Sequence, residues 1–156
     1  MRQILLGLAL IAALGILAVA APQPGAAPLS VAMRVDTTAA DPAAVLEFEN
    51  LSGKPVAAYA VRLIRRAEDG KVASITTHAV STRGLGMSLG RQSFQPGEKW
   101  TDAVKLPERQ PVEAQLDLVL FEDGTHWGPN KAKQLERFQG MREGAHFERE
   151  AAKRQR

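Results

Sequence analysis

The amino-acid sequence predicts a mainly β protein, an antiparallel two-sheet sandwich closed by a C-terminal amphipathic helix. Three observations carry that reading. Seven or eight short segments of alternating apolar and polar residues, separated by Gly- and Pro-containing turns, fall within about 100 residues, the density of a two-sheet β domain. Beyond Gly128-Pro129 the apolar spacing changes from two to three or four. The chain has 45% hydrophobic residues and no cysteine, so one core must be held by burial alone.

The elements follow in order. Leu29 to Val35 places Val31, Met33 and Val35 on one face. Val45 to Leu51 alternates clearly, with Leu46 and Phe48 opposite Glu47 and Glu49. Asn50-Leu51-Ser52-Gly53-Lys54-Pro55 turns the chain, Pro55 being suited to the start of a strand. Val56 to Arg66 is the longest strand, with Tyr59, Val61 and Leu63 sharing a face. Asp69-Gly70 predicts a two-residue hairpin into Val72 to Val80. Ser81 to Gly90 holds three glycines and reads as a loop, with Met87 and Leu89 opening a strand that runs to Phe94.

After Pro96-Gly97-Glu98, Trp100 to Leu106 forms a short strand, and Pro107 to Pro111 interrupts it. Val112 to Glu122 is the clearest strand, with Ala114, Leu116, Leu118 and Leu120 on one side and Glu113, Gln115 and Asp117 towards solvent. A two-residue turn at Asp123-Gly124 pairs Glu122 with Thr125, Phe121 with His126 and Leu120 with Trp127. That register puts Trp127 among the leucines.

From Asn130 onward Leu135, Phe138, Met141 or Arg142, and Ala145 recur at helical spacing. Asn130 is a suitable N-cap and Pro129 explains an abrupt start. Gly140 and Gly144 each weaken a helix interior by roughly 1 kcal/mol, which leaves two shorter helical pieces as an alternative. The charged stretch from Glu148 to Arg156 is expected to fray.

The run Leu46-Glu47-Phe48-Glu49-Asn50-Leu51-Ser52-Gly53-Lys54-Pro55, followed by the Tyr59-Val61-Leu63 strand, resembles the strand–turn–strand opening of immunoglobulin-like and fibronectin-type-III-like domains of bacterial exported proteins. The resemblance spans Leu29 to Trp127 and is one of architecture, since the Cys…Trp…Cys framework is absent. It implies an immunoglobulin-like β-sandwich serving adhesion, assembly or substrate binding, without choosing among them.

The N-terminus places the chain in a compartment. Met1-Arg2-Gln3 precedes Ile4 to Ala20, a run of 17 residues with no charge and no polar side chain. A basic start, an apolar stretch and small residues at Ala18-Val19-Ala20 are the layout of a secretory signal peptide cut before Ala21. The alternative is an uncleaved N-terminal membrane anchor, for which 17 residues is the lower limit. Residues 21–28 then form a flexible Pro/Ala/Gly leader, residues 29–128 the β domain and residues 129–156 the helix with its charged tail. Without Arg2 the chain carries 19 basic and 17 acidic residues, too small a surplus to suggest nucleic-acid binding. Absence of cysteine removes disulfides, iron–sulfur clusters and thiol catalysis.

Motifs that carry chemistry are sparse. His78, His126 and Asp123 are the one set from which a metal site could be assembled, but no close-spaced ligand pair supports it. Asp117, Glu122 and Asp123 could supply paired carboxylates, which hydrolysis requires on both sides of a cleft. The serines lack a G-x-S-x-G elbow, and Gly84-Leu85-Gly86 lacks the helix and lysine of a phosphate loop. Asn50-Leu51-Ser52 matches the glycosylation sequon in a turn that a transferase could reach. No catalytic, cofactor-binding or metal-binding residue is assigned, and no cofactor is expected.

The expected function is therefore a non-enzymatic extracytoplasmic module that binds a protein or cell-envelope component, in part by offering an exposed sheet edge to an extended segment. Candidate partner contacts are Arg62, Arg65 and Arg66 with Lys131, Lys133, Arg137 and Arg142. Residues 129–156, with eight basic and four acidic side chains, could also meet an anionic surface. The alternative is a small carbohydrate- or lipid-binding domain using Tyr59, Trp100 and Trp127 as pocket walls. In the leading reading Trp127 is a packing anchor that docks against Leu135 and Phe138. A hydrolytic enzyme is the least supported class.

Overall fold

The computed structural model describes residues 26–36, 42–82, 92–107 and 111–154, apart from the side chains of Glu148 and Arg149. The export segment, most of the leader and the Met87–Leu89 stretch lie outside the described residues. Seven strands and one helix follow in chain order: β1 (Leu29–Asp36), β2 (Ala43–Asn50), β3 (Val56–Arg66), β4 (Val72–Ser81), β5 (Lys99–Lys105), β6 (Val112–Phe121), β7 (His126–Trp127) and α1 (Leu135–Arg154). They form two antiparallel sheets, of order β1-β2-β5 and β4-β3-β6-β7.

The alternation in β2 and β3 delivers the common core. Leu46 and Phe48 from the first sheet meet Tyr59, Val61 and Leu63 from the second, joined by Phe94, Trp100, Val119 and Phe121. Phe94 reaches this cluster from an isolated bridge to Val56, where sequence pattern predicts the end of a strand. Its ring stacks on Trp100 at 4.1 Å between centroids, and Phe48 stacks on the same indole at 5.2 Å. Such aromatic pairs add about 0.5–1.5 kcal/mol each beyond the area they bury.

Both tight hairpins differ from the two-residue turns expected. Ala67 N–H bonds Lys71 O and Gly70 N–H bonds Ala67 O. At the other hairpin Phe121 N–H bonds Thr125 O and Gly124 N–H bonds Phe121 O. Each is a three-residue loop, Glu68-Asp69-Gly70 and Glu122-Asp123-Gly124, ending in a left-handed glycine with φ of 80° and 87°. In both, the aspartate side chain accepts the N–H two residues on, from Lys71 and Thr125. The extra loop residue shifts the β6–β7 register by one, so that Leu120 faces His126 and Val119 faces Trp127.

That shift moves Trp127 to the inter-sheet face, where it is half-buried against the common core. It does not dock on Leu135 and Phe138 as expected. Those residues, with Met141, instead pack on a second cluster formed by Ala57, Ala58, Ala60, Leu118 and Leu120. Small alanines on β3 leave room for the helix, and Phe138 is the fully buried plug.

A bulge at Asp117 creates the second cluster. Ala60 pairs with Leu118 and Val61 with Leu116, which leaves Asp117 as an extra residue on β6. Val112, Ala114 and Leu116 therefore face the common core, whereas Leu118 and Leu120 face the helix. The single-sided leucine row predicted for this strand is split in two. The helix is one continuous element from Leu135 to Arg154, beginning five residues after Asn130 and running past Glu148, where fraying was expected. Among the described residues no helix is long and apolar enough to cross a membrane.

Candidate functional site

Asp117, expected to face solvent, is 1% exposed. Its carboxylate accepts the backbone N–H groups of Lys131 at 2.9 Å and Ala132 at 2.8 Å, and its own carbonyl accepts Asn130 N–H. Gly128, at φ 111°, lies so close that an added Cβ would sit 2.3 Å from the Asp117 carbonyl oxygen. Asn130 does cap the helix, its Oδ1 accepting the N–H groups of Gln134 and Leu135. These contacts clamp the sheet-to-helix connection onto the β6 bulge. A buried carboxylate whose two oxygens each accept a backbone N–H is a structural anchor.

A second polar group joins the two sheets along the side where β4 and β5 lie. Tyr59 O–H donates to the Asp102 carboxylate, Trp100 Nε1–H donates to the Tyr59 oxygen at 3.1 Å, and His78 Nε2 lies 3.3 Å from Asp102 Oδ2. The buried phenol and indole thus find the polar partners that burial requires. Tyr59 is wholly buried and Trp100 nearly so, which places both rings inside the core and offers no stacking platform. The structure does not bring His126 or Asp123 to His78. His126 is exposed on β7, and Asp123 pairs with Lys54 at 2.7 Å. The Lys54 ammonium, then the Thr125 hydroxyl, hold the Asp123 carboxyl below the usual carboxylate range. Among the described residues no three metal-ligating side chains converge.

The sequon asparagine is also committed. Asn50 is 1% exposed, its Nδ2 donates to Lys54 O and Phe94 O, and its Oδ1 accepts from Ser52. An incoming glycosyl group would have to displace a donor bond of this buried amide, which corrects the expectation that a transferase could reach this turn.

The basic candidates do not form one patch. Arg62 bonds Gln115 and Arg66 pairs with Glu113 at 3.2 Å, whereas Arg65 bonds Ser74 on the neighbouring strand. Lys131 and Lys133 lie in the connection before α1, not in the helix, and Lys133 has a φ of 52°. Arg137 bonds Gln134, one turn before it. The guanidinium of Arg142 fills the space left by the missing side chain of Gly124 and so covers the β6–β7 turn.

What sequence reasoning did not locate is the exposed edge itself. Four strands lie at sheet edges: β1, β5, β4 and β7. β1 carries Arg34 and Asp36, β5 carries Lys99, Asp102 and Lys105, and β7 is two residues long. Charge and brevity are the usual means of blocking unwanted strand pairing. β4 has neither, since Val72–Ser81 contains no Lys, Arg, Asp, Glu or Pro over ten residues. Its first six residues are exposed, and Val72 and Ile75 are two of the four large apolar side chains exposed among the described residues. A bulge at Ala73, between Ser74 opposite Arg65 and Val72 opposite Arg66, confines the regular edge to Ser74–Ser81.

No protein-family model and no curated protein matches the chain. A solved structure of a hypothetical protein from Peptoclostridium difficile 630 is similar to it at 15% identity and a TM-score of 0.42, over 72% of this chain and 92% of that one.

Proposed function

We propose that this chain is an exported, non-enzymatic binding module that recognises a protein of the cell envelope by adding an extended segment of that protein to the edge of β4. The observation that carries the reading is the uncharged, proline-free β4 edge beside three edges that are charged or short. In an antiparallel sheet every second residue of an edge strand turns its N–H and C=O outward. Main-chain pairing would supply affinity, and the side chains flanking Ile75 and Thr77 would supply selection. The apolar run Ile4 to Ala20 supports export, with removal of residues 1–20 leaving the domain preceded only by its leader, residues 21–28.

The proposed fold is immunoglobulin-like. Strands one, two and five in one sheet, and three, six and seven in the other, follow the partition of immunoglobulin domains, with the fourth strand added beside the third. A protein partner is preferred over a carbohydrate or lipid because Tyr59 and Trp100 are occupied in the core. Photocrosslinking tests the reading. A photoreactive residue at position 75 or 77 should yield adducts with an envelope protein, and one at position 32 of β1 should not. Equal yields from all three positions, or none from 75 and 77, would overturn it.

A further inference from the structure

We infer that, when no partner is present, the chain pairs with a second copy of itself through β4, the two strands running antiparallel about a two-fold axis. This rests on the reading of β4 as the pairing edge and names what occupies that edge at rest. Among the described strands β3 alone pairs with β4, and the first six residues of β4 are exposed. A strand with no formal charge from Val72 to Ser81 can meet its own copy without setting like charges opposite each other. The same operation on β5, about Asp102, would set Lys99 opposite the copy's Lys105 along the joint.

Closure chooses the strand's direction. A two-fold is the symmetry that gives a closed dimer from one self-complementary patch, and across a sheet edge it sets the two strands antiparallel. The ionic groups beside the Val72 end do not oppose this, since Arg66 pairs with Glu113 and Lys71 with Asp69.

Side-chain register fits the same axis. Ile75 and Thr77 pair with the outer-face residues Ile64 and Arg62 of β3, and Ser74, Thr76 and His78 pair with Arg65, Leu63 and Val61. A two-fold through Thr76 sets Ile75 beside Thr77 of the second copy on the outer face. On the inner face Ser74 then meets its His78. The first joins two β-branched side chains that suit a sheet surface. The exposed Ile75 becomes covered.

The dimer is a weak one by size. Pairing eight residues covers well under the ~800 Å² per partner of a standard stable interface. Its dissociation constant is therefore expected in the micromolar range or above, so that a partner segment can displace the second copy.

Because the chain lacks cysteine, a single introduced thiol reports the axis cleanly. Thr76→Cys should oxidise to a covalent dimer at a rate that rises with protein concentration, while Ala32→Cys on β1 remains monomeric. Sedimentation velocity of the unmodified chain should show a reversible monomer–dimer shift that Ile75→Lys shifts at least tenfold in concentration, with the circular dichroism of the fold unchanged. A chain that stays monomeric to millimolar concentration, or a dimer indifferent to Ile75→Lys, would overturn the inference. If such a monomer still gives envelope adducts from position 75, self-pairing alone falls. If it gives none, the binding reading falls with it.

Discussion

Replacing Asp117 by alanine should be among the most damaging substitutions of a charged residue in this protein. The carboxylate is 1% exposed and accepts two backbone N–H groups, from Lys131 and Ala132. Hydrogen bonds to a charged acceptor contribute about 1.5–3 kcal/mol each. Lys131 is exposed, so its N–H recovers part of that loss from water, and removing a buried charge offsets a further part. The net cost works out at roughly 2–4 kcal/mol, or a fall in Tm of roughly 8–15 °C for a domain of this size. Asp117→Asn keeps one acceptor but turns an amide donor towards the other N–H, so it too should be destabilising. Thermal and urea unfolding followed by circular dichroism measures both, with Asp123→Ala as the exposed comparison. If Asp117→Ala unfolds within about 0.5 kcal/mol of the parent, in the range of ordinary surface changes, the clamp is not a stabilising element.

Other outcomes follow from the same geometry. Gly128→Ala should cost more than Gly124→Ala in urea unfolding: both glycines have positive φ, but the first meets a backbone carbonyl and the second meets a side chain that can swing away. Phe138→Ala should lose about 3–5 kcal/mol as the helix loses its plug, whereas Phe147→Ser, 74% exposed, should be close to neutral. Asp123 has its carboxyl held low in the folded state, so its contribution is present above the unfolded carboxylate pKa of about 3.9 and is lost as pH falls below it. Unfolding midpoints of Asp123→Asn should then approach those of the parent between about pH 4 and pH 2, with the difference at pH 7 shrinking in high salt. The proposed cut before Ala21 is checked by N-terminal sequencing of the protein recovered from cells, which should find Ala21 first.

Much of the β architecture was legible because burial on one face imposes a period of two. β3 was located to the residue, and β2, β5 and β6 to within two residues, since their alternation and the Gly- and Pro-containing turns between them bound each strand. The failures concern single inserted residues. Asp-Gly suggests a two-residue turn, but the preceding Glu68 and Glu122 belong to the loops as well, and the repeated Glu-Asp-Gly was the available signal. Asp117 interrupts an apparently uniform leucine row, and nothing local distinguishes a bulged aspartate from an outward-facing one. Its partners lie 14 and 15 residues away. Trp127 followed the wrong register for the same reason. The exposed edge of β4 was invisible because edge position is a property of strand order, which periodicity does not encode.

Residue-by-residue amide exchange along Ser74–Ser81 tests the central claim most directly. In dilute monomer, alternate amides of β4 should exchange freely while those bonded to β3 stay protected, and the free set should become protected on self-association or on binding the proposed envelope partner. Uniform protection in the dilute monomer, or free amides that stay free in the complex, would contradict the assignment of this edge as the binding surface.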